Sequence, residues 1–173
     1  MEKYIPDMYQ ESIYKIDYKK LKNRGIKCIL FDLDNTLVVY NEKEVTNKLV
    51  DFTISLKKMG FKIIIVTNSP KVRAIKFRDA LDIDCCANAR KPRPNKIIEI
   101  LEEFNYKESE VALIGDQMCT DVICGNRAGI TTILITPLSK KDLFVTKINR
   151  FREKKIMAKL RQKDLFTKGR YYE

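Results

Sequence analysis

Four short apolar runs, each cut off by polar residues, constrain this chain more than any other feature. Residues 26–31 (IKCILF) stop at Asp32, residues 61–66 (FKIIIV) at Thr67, residues 111–114 (VALI) at Gly115-Asp116, and residues 131–135 (TTILI) at Thr136-Pro137. Runs of this length and apolarity read as strands buried on both faces. The stretches between them have helical spacing. Val45, Leu49, Phe52 and Leu56 predict a helix over 44–59, closed at Gly60. Ser69-Pro70 predicts an N-cap and first helical residue, with a helix running to about Leu81. Residues 83–87 fit a short further strand, Pro94 opens a helix that uses Ile97, Ile98 and Leu101, and another helix covers roughly 121–128. Strands and helices that alternate through short connections predict an α/β fold: a central parallel sheet of about five strands with helices on both faces, in three Rossmann-like layers.

Length and charge set the organisation around that sheet. The 173 residues fit one domain: an N-terminal arm over 1–25, a core over 26–137 and a helical extension over 138–173. The net charge of +11 is uneven. Residues 28–137 are neutral, whereas residues 138–173 carry 12 basic and four acidic side chains. Basic excess of this kind attracts phosphate-rich partners or an anionic membrane, unless it serves only solubility. The chain has no His, which removes imidazole relays and His-ligated zinc. Five cysteines without a CxxC pair fit a reducing cytoplasm, and a core-filling role is expected for Cys119 and Cys124. The first ten residues lack the apolar segment of a secretory signal, and no stretch is long enough to span a bilayer as a helix.

In an open parallel sheet, ligands bind beyond the carboxyl ends of the strands. The polar residues following each run are therefore expected to converge. They are Asp32, Asp34, Asn35 and Thr36; Thr67, Asn68 and Ser69; Arg90 and Lys91; and Asp116, Thr120 and Asp121. Clustered carboxylates repel unless a cation lies among them, and an all-oxygen set without His favours a hard ion, Mg²⁺. Magnesium with a lysine and a hydroxyl suits phosphate chemistry. One carboxylate can act as nucleophile through an acyl-phosphate, and a second can move protons. No GxxxxGK[ST] is present, so a P-loop is not expected. A receiver domain gathers similar groups in a different order, with its acidic pair ahead of a lone Asp, Thr and Lys.

The elements DLDNT, TN, KP and GDQxxTD resemble, in that order, the haloacid dehalogenase superfamily over about residues 26–137. The resemblance implies roles. Asp32 is the expected nucleophile and a metal ligand. Asp34 is the expected general acid/base, with its backbone carbonyl on the metal. Thr67 is expected on a phosphoryl oxygen, and Lys91 between nucleophile and phosphoryl group. Asp116 is the expected third metal ligand, with Asp121 sharing the metal site or standing just outside it, a position that also suits a helix cap. Asn68 and Arg127 are candidate substrate contacts, although a salt bridge explains Arg127 equally well.

Relatives acting on small metabolites carry an inserted cap domain. Here 32 residues separate Asp34 from Thr67 and 23 separate Thr67 from Lys91, room for one helix and one strand each time. No cap domain is expected, and the approach to the site should be open. The stretches YIPDMY, NARKP, GDQMCTDVICGNRAG and FVTKINRFREKK resemble the YqeG family of capless subfamily IIIA phosphatases, which is similar to phosphatidylglycerophosphate phosphatases. Thr67-Asn68-Ser69 stands where relatives often have Ser-Asn-Asn, a change that keeps the hydroxyl. The resemblance implies a phospholipid headgroup substrate, a cytoplasmic protein and peripheral contact with the inner face of the membrane through the basic tail. Nucleic-acid termini or a phosphoprotein are the alternative substrates, and the alternative to a phosphatase is a non-catalytic anion-binding protein. Without Trp, base stacking is disfavoured. Each basic residue near an anionic leaflet contributes about 1 kcal/mol. Phe144, Ile148 and Phe151 form a stripe that either dips into an interface or packs on the body. Tyr171 and Tyr172 suit headgroup level or a frayed end.

Overall fold

The structure is a computed structural model that describes residues 1–166; Tyr171 and Tyr172 lie outside the described residues. Its centre is one parallel sheet formed by β1 (Met8–Gln10), β2 (Cys28–Phe31), β3 (Lys62–Val66), β4 (Asp84–Cys86), β5 (Val111–Gly115) and β6 (Thr131–Ile135). The strand order is β1-β6-β5-β2-β3-β4. The sheet thus has six strands where about five were expected. The additional one is β1, which pairs with β6 in the register Met8↔Ile133. Three residues beside Pro6 and Asp7 leave no apolar run to read, and β1 exists because its neighbour is already in place. The Asp7 carboxylate accepts from the Thr132 amide at 2.7 Å, and Asn126 donates to the carbonyls of Lys3 and Ile5. These bonds fasten the first residues to that edge.

Side chains alternate across the sheet with period two. Ile29, Phe31, Ile63, Ile65, Ala112, Ile114 and Ile133 face one way. They meet α1 (Tyr18–Asn23), α2 (Asn47–Lys58) and α3 (Lys71–Leu81) through Leu21, Leu49, Leu56 and Phe77. Cys28, Leu30, Ile64, Val66, Val111 and Leu113 face the other way, towards α4 (Asn95–Glu103) and α5 (Ile123–Ala128). The result is the expected three-layer arrangement, with only α2 and α3 as folded elements where a cap would insert. Helix starts shift slightly. Thr46 caps α2 through its hydroxyl on the Leu49 amide, and Pro70 rather than Ser69 occupies the N-cap of α3. The Ser69 hydroxyl is used elsewhere, as described below.

The last described helix is α6 (Phe144–Gln162). Its inner face contributes Leu160, with Ile156 and Met157 beside it, to a cluster containing Tyr9, Met118, Val122, Leu134 and Phe166. The apolar stripe Phe144, Ile148 and Phe151 points away from this packing and is exposed. Among the described residues, no helix is long and apolar enough to cross a membrane.

Candidate active site

Strand order reverses between β2 and β5, and the carboxyl ends of those two strands open the crevice where a doubly wound sheet binds its ligand. Asp32 leaves β2 with its amide still bonded to the Ile114 carbonyl at 2.9 Å, and Asp116 follows β5 directly. Thr67 follows β3 and Lys91 lies beyond β4. The sheet therefore brings together residues separated by up to 84 positions of sequence.

Asp32, Asp116 and Asp121 are all buried, and each offers a carboxylate oxygen within 4.8 Å of the others. The Lys91 ammonium, also buried, bonds Asp32 Oδ1 at 2.7 Å and Asp121 Oδ1 at 2.6 Å. Thr36 donates to Asp116 Oδ1 at 3.3 Å. Burial pushes the Asp32 carboxyl up to about 7, with Lys91 opposing the rise and Asp121 adding to it. Burial likewise pushes Asp116 up to about 8 against the pull of Arg150. Burial alone would lower the Lys91 ammonium, but Asp121 and Asp32 outweigh it and hold it above the usual lysine range. Three buried carboxylates offering only oxygen atoms form a donor set suited to a hard divalent cation.

Asp121 reaches this cluster through a local distortion. Residues Met118–Val122 form a π-helical turn instead of the first turn of the expected helix, and α5 starts only at Ile123. Such turns concentrate at functional sites. The wider turn lets Asp121 Oδ2 accept from the Gln117 amide at 3.0 Å while Oδ1 meets Lys91. It requires glycine at 115, because a Cβ there would lie 2.3 Å from the Asp121 carboxylate.

Asp32, Asp34, Thr67, Asn68 and Lys91 line one cleft of about 220 Å³. The Asp34 side chain lies outside the three-carboxylate cluster. Its Oδ1 receives Arg73 Nε at 3.0 Å and Nη2 at 2.6 Å, and its Oδ2 receives the Ser69 hydroxyl at 2.5 Å. Asn68, expected as a substrate contact, uses its amide to hold Lys91: Nδ2 donates to the Lys91 carbonyl at 3.0 Å, and Oδ1 accepts from its amide at 2.7 Å. Arg127, the other expected contact, does not line this cleft. It borders a separate hollow beside the N-terminal residues and donates to the Pro92 carbonyl at 3.1 Å. Cys124 donates to the Arg93 carbonyl at 3.2 Å, and burial raises its thiol to about 12, in keeping with a packing role.

No cap domain covers the cleft, but one side of its approach is bordered by residues at the start of α6. Asp142 and Leu143, which lead into α6, and Val145, Thr146 and Asn149 of its first turns line the same cleft. Arg150 of α6 pairs with the Asp116 carboxylate and donates to its carbonyl at 2.7 Å. Glu153, one turn on, is buried and accepts from the Cys119 amide at 2.9 Å. Helix α6 is thus fastened to the π-turn from which Asp121 projects. Sequence reasoning assigns no role to Arg73, Arg150 or Glu153; the TKINRFRE stretch reads as part of the family resemblance and of the basic tail, without a place at the site.

Comparison with known proteins follows the same lines. Residues 1–139 match the family described as mitochondrial PGP phosphatase. The probable phosphatase YqeG of Bacillus subtilis (strain 168) is 36% identical over 160 residues, covering 92% of this chain and 93% of that one. Phosphatidylglycerophosphate phosphatase 1 of Arabidopsis thaliana, chloroplastic/mitochondrial, is 29% identical over 147 residues, or 80% of this chain and 42% of that longer protein. Among solved structures, an uncharacterized protein from Listeria monocytogenes serotype 4b superposes with a TM-score of 0.55 at 18% identity, covering 68% of this chain and 85% of that one. A haloacid dehalogenase-like hydrolase from Streptococcus pneumoniae gives 0.52 at 15% identity, covering 65% and 85%. At those identities the likeness is one of fold.

Proposed function

The chain belongs to the mitochondrial PGP phosphatase family and is a phosphatase of haloacid dehalogenase fold, and we propose that it hydrolyses phosphatidylglycerophosphate to phosphatidylglycerol and phosphate with Mg²⁺ as its metal. The observation that carries this reading is the Lys91 ammonium bonded to Asp32 at 2.7 Å within the buried carboxylate cluster, at the base of a cleft that also holds Asp34. Asp32, Asp116 and the Asp34 backbone carbonyl would hold the metal, with Asp121 beside them. When bound, the ion neutralises phosphoryl oxygens and favours attack by an anionic nucleophile.

In the first half of the reaction, an Asp32 oxygen attacks phosphorus and the bond from phosphorus to the glycerol oxygen breaks. The Asp34 carboxyl gives its proton to that departing oxygen. In the second half, Asp34 takes a proton from water, the water oxygen attacks phosphorus, and the bond to Asp32 breaks to release phosphate. Lys91 offsets negative charge between nucleophile and phosphoryl group, and the Thr67 hydroxyl takes a phosphoryl oxygen. Arg73 and Ser69 fix the direction of the Asp34 carboxylate, and Asn68 fixes the Lys91 backbone. A lipid substrate calls for contact with a membrane surface, and on this reading that surface is the inner face of the membrane, reached from the cytoplasm.

Phosphate release from phosphatidylglycerophosphate in mixed micelles tests the proposal. Turnover should require Mg²⁺ and vanish in Asp32→Asn. Turnover of a 5′-phosphorylated oligonucleotide or a phosphopeptide, with none of the lipid, overturns the substrate assignment.

A further inference from the structure

We infer that the exposed side of the first turns of α6 is a membrane-seating surface that presents the mouth of the catalytic cleft to anionic phospholipid; the inference rests on the lipid-substrate reading above. Large apolar side chains left in water are unevenly distributed on this protein. Leu143, Phe144, Val145, Ile148 and Phe151 are 56%, 76%, 68%, 48% and 60% exposed, five such residues within nine positions. Their exposure is imposed by packing on the opposite side of the helix, where Arg150, Glu153, Ile156 and Leu160 are committed to the protein body. An apolar concentration of this kind on a water-facing helix marks a contact surface.

Charge identifies the occupant. The same exposed side carries Lys147, Arg152, Lys154, Lys155 and Lys159, and Arg161 and Lys163 follow. The only acidic residue between positions 143 and 163 is Glu153, which is buried against the Cys119 amide. Lys155 lies 4.6 Å from the centre of the Phe151 ring, so cationic and aromatic groups share one ridge. Aromatic and aliphatic groups rimmed by cations match the interface of an anionic bilayer, with rings below the phosphates and ammonium groups among them. A second copy of the chain would bring like charges together, which disfavours a symmetric dimer through this face.

Position ties the surface to catalysis. Leu143 and Val145 belong both to the exposed patch and to the lining of the cleft that contains Asp32, Asp34 and Lys91. A headgroup phosphate could then enter the cleft from the lipid surface while its acyl chains remained in the bilayer.

The chain has no Trp, so Phe144→Trp provides a single reporter. Its emission should shift to shorter wavelength with phosphatidylglycerol-containing vesicles and stay fixed with phosphatidylcholine vesicles. Flotation of Phe144→Ser/Ile148→Ser on the anionic vesicles should fall by about tenfold or more, with hydrolysis of a soluble aryl phosphate unchanged. Absence of the spectral shift, a double variant that floats like the parent, or a shift produced by protein concentration alone overturns the surface. If the parent floats but releases no phosphate from phosphatidylglycerophosphate, the substrate reading fails and the surface stands. If it turns the lipid over in micelles without floating on vesicles, the surface fails and the substrate reading stands.

Discussion

Arg150 holds Asp116 at two points, donating to its backbone carbonyl at 2.7 Å and pairing with its carboxylate. A residue from α6 therefore sets the position of an aspartate at the end of a central strand. Removing the guanidinium leaves a buried carboxylate without its partner. Arg150→Ala should lower stability by about 3 kcal/mol in chelator, read from urea midpoints. Adding Mg²⁺ should recover part of the loss, because a cation can take over the same carboxylate. Equal losses with and without the ion would show that Arg150 acts only by packing.

The raised carboxyls make stability depend on pH. Burial pushes the Asp32 carboxyl up to about 7 and that of Asp116 up to about 8 in the folded protein, above an ordinary Asp value of 3.8. Over the interval between, the folded chain holds protons that the unfolded chain has released, so stability falls as pH rises. In EDTA, the urea midpoint should decrease from pH 5 to pH 8. Saturating Mg²⁺ should flatten that slope, since binding to the ionised carboxylates favours the folded state. A midpoint that rises with pH in EDTA would contradict this account.

Gly115 is where the site tolerates no side chain. A methyl group in Gly115→Ala would meet the Asp121 carboxylate at 2.3 Å. Displacing Asp121 removes one of the two anions that hold Lys91. The substitution should cost about 1–3 kcal/mol and lower kcat on the order of 100-fold, measured with a soluble aryl phosphate.

Arg73 is expected to act through Asp34, since it bonds Oδ1 twice and does not join the three-carboxylate cluster. Arg73→Ala should reduce kcat by roughly 100-fold with little change in KM. Arg73→Lys should restore only part of the loss, because an ammonium cannot reproduce the two-pronged contact. A change confined to KM would move Arg73 into substrate binding instead.

How much could be read beforehand differs by level. The fold class and the meeting of the strand-end residues were legible, because an apolar run fixes where a buried strand stops and sheet topology dictates where those ends gather. Asp32, Asp116, Asp121 and Lys91 follow from that rule. Strand β1 was not legible, since Met8, Tyr9 and Gln10 have no pattern of their own and depend on β6. The π-turn left no periodic trace in five residues. Ser69 showed the signature of a helix cap, but Asp34 competes for its hydroxyl. Arg73, Arg150 and Glu153 looked like ordinary charged residues on helices. Their roles depend on which way α3 and α6 face, and that is settled by packing between distant segments.

The pairing of β1 with β6 has a consequence for biosynthesis. Met8 finds its partner only when Ile133 has left the ribosome, a delay on the order of ten seconds at ordinary elongation rates. Throughout that interval the nascent polypeptide has an unsatisfied sheet edge. The clamp on Asp116 arrives later still, with Arg150. Catalytic competence therefore waits for α6 to emerge, and a chaperone that shields the early edge would raise the yield of active enzyme more than it would speed chemistry in any finished molecule.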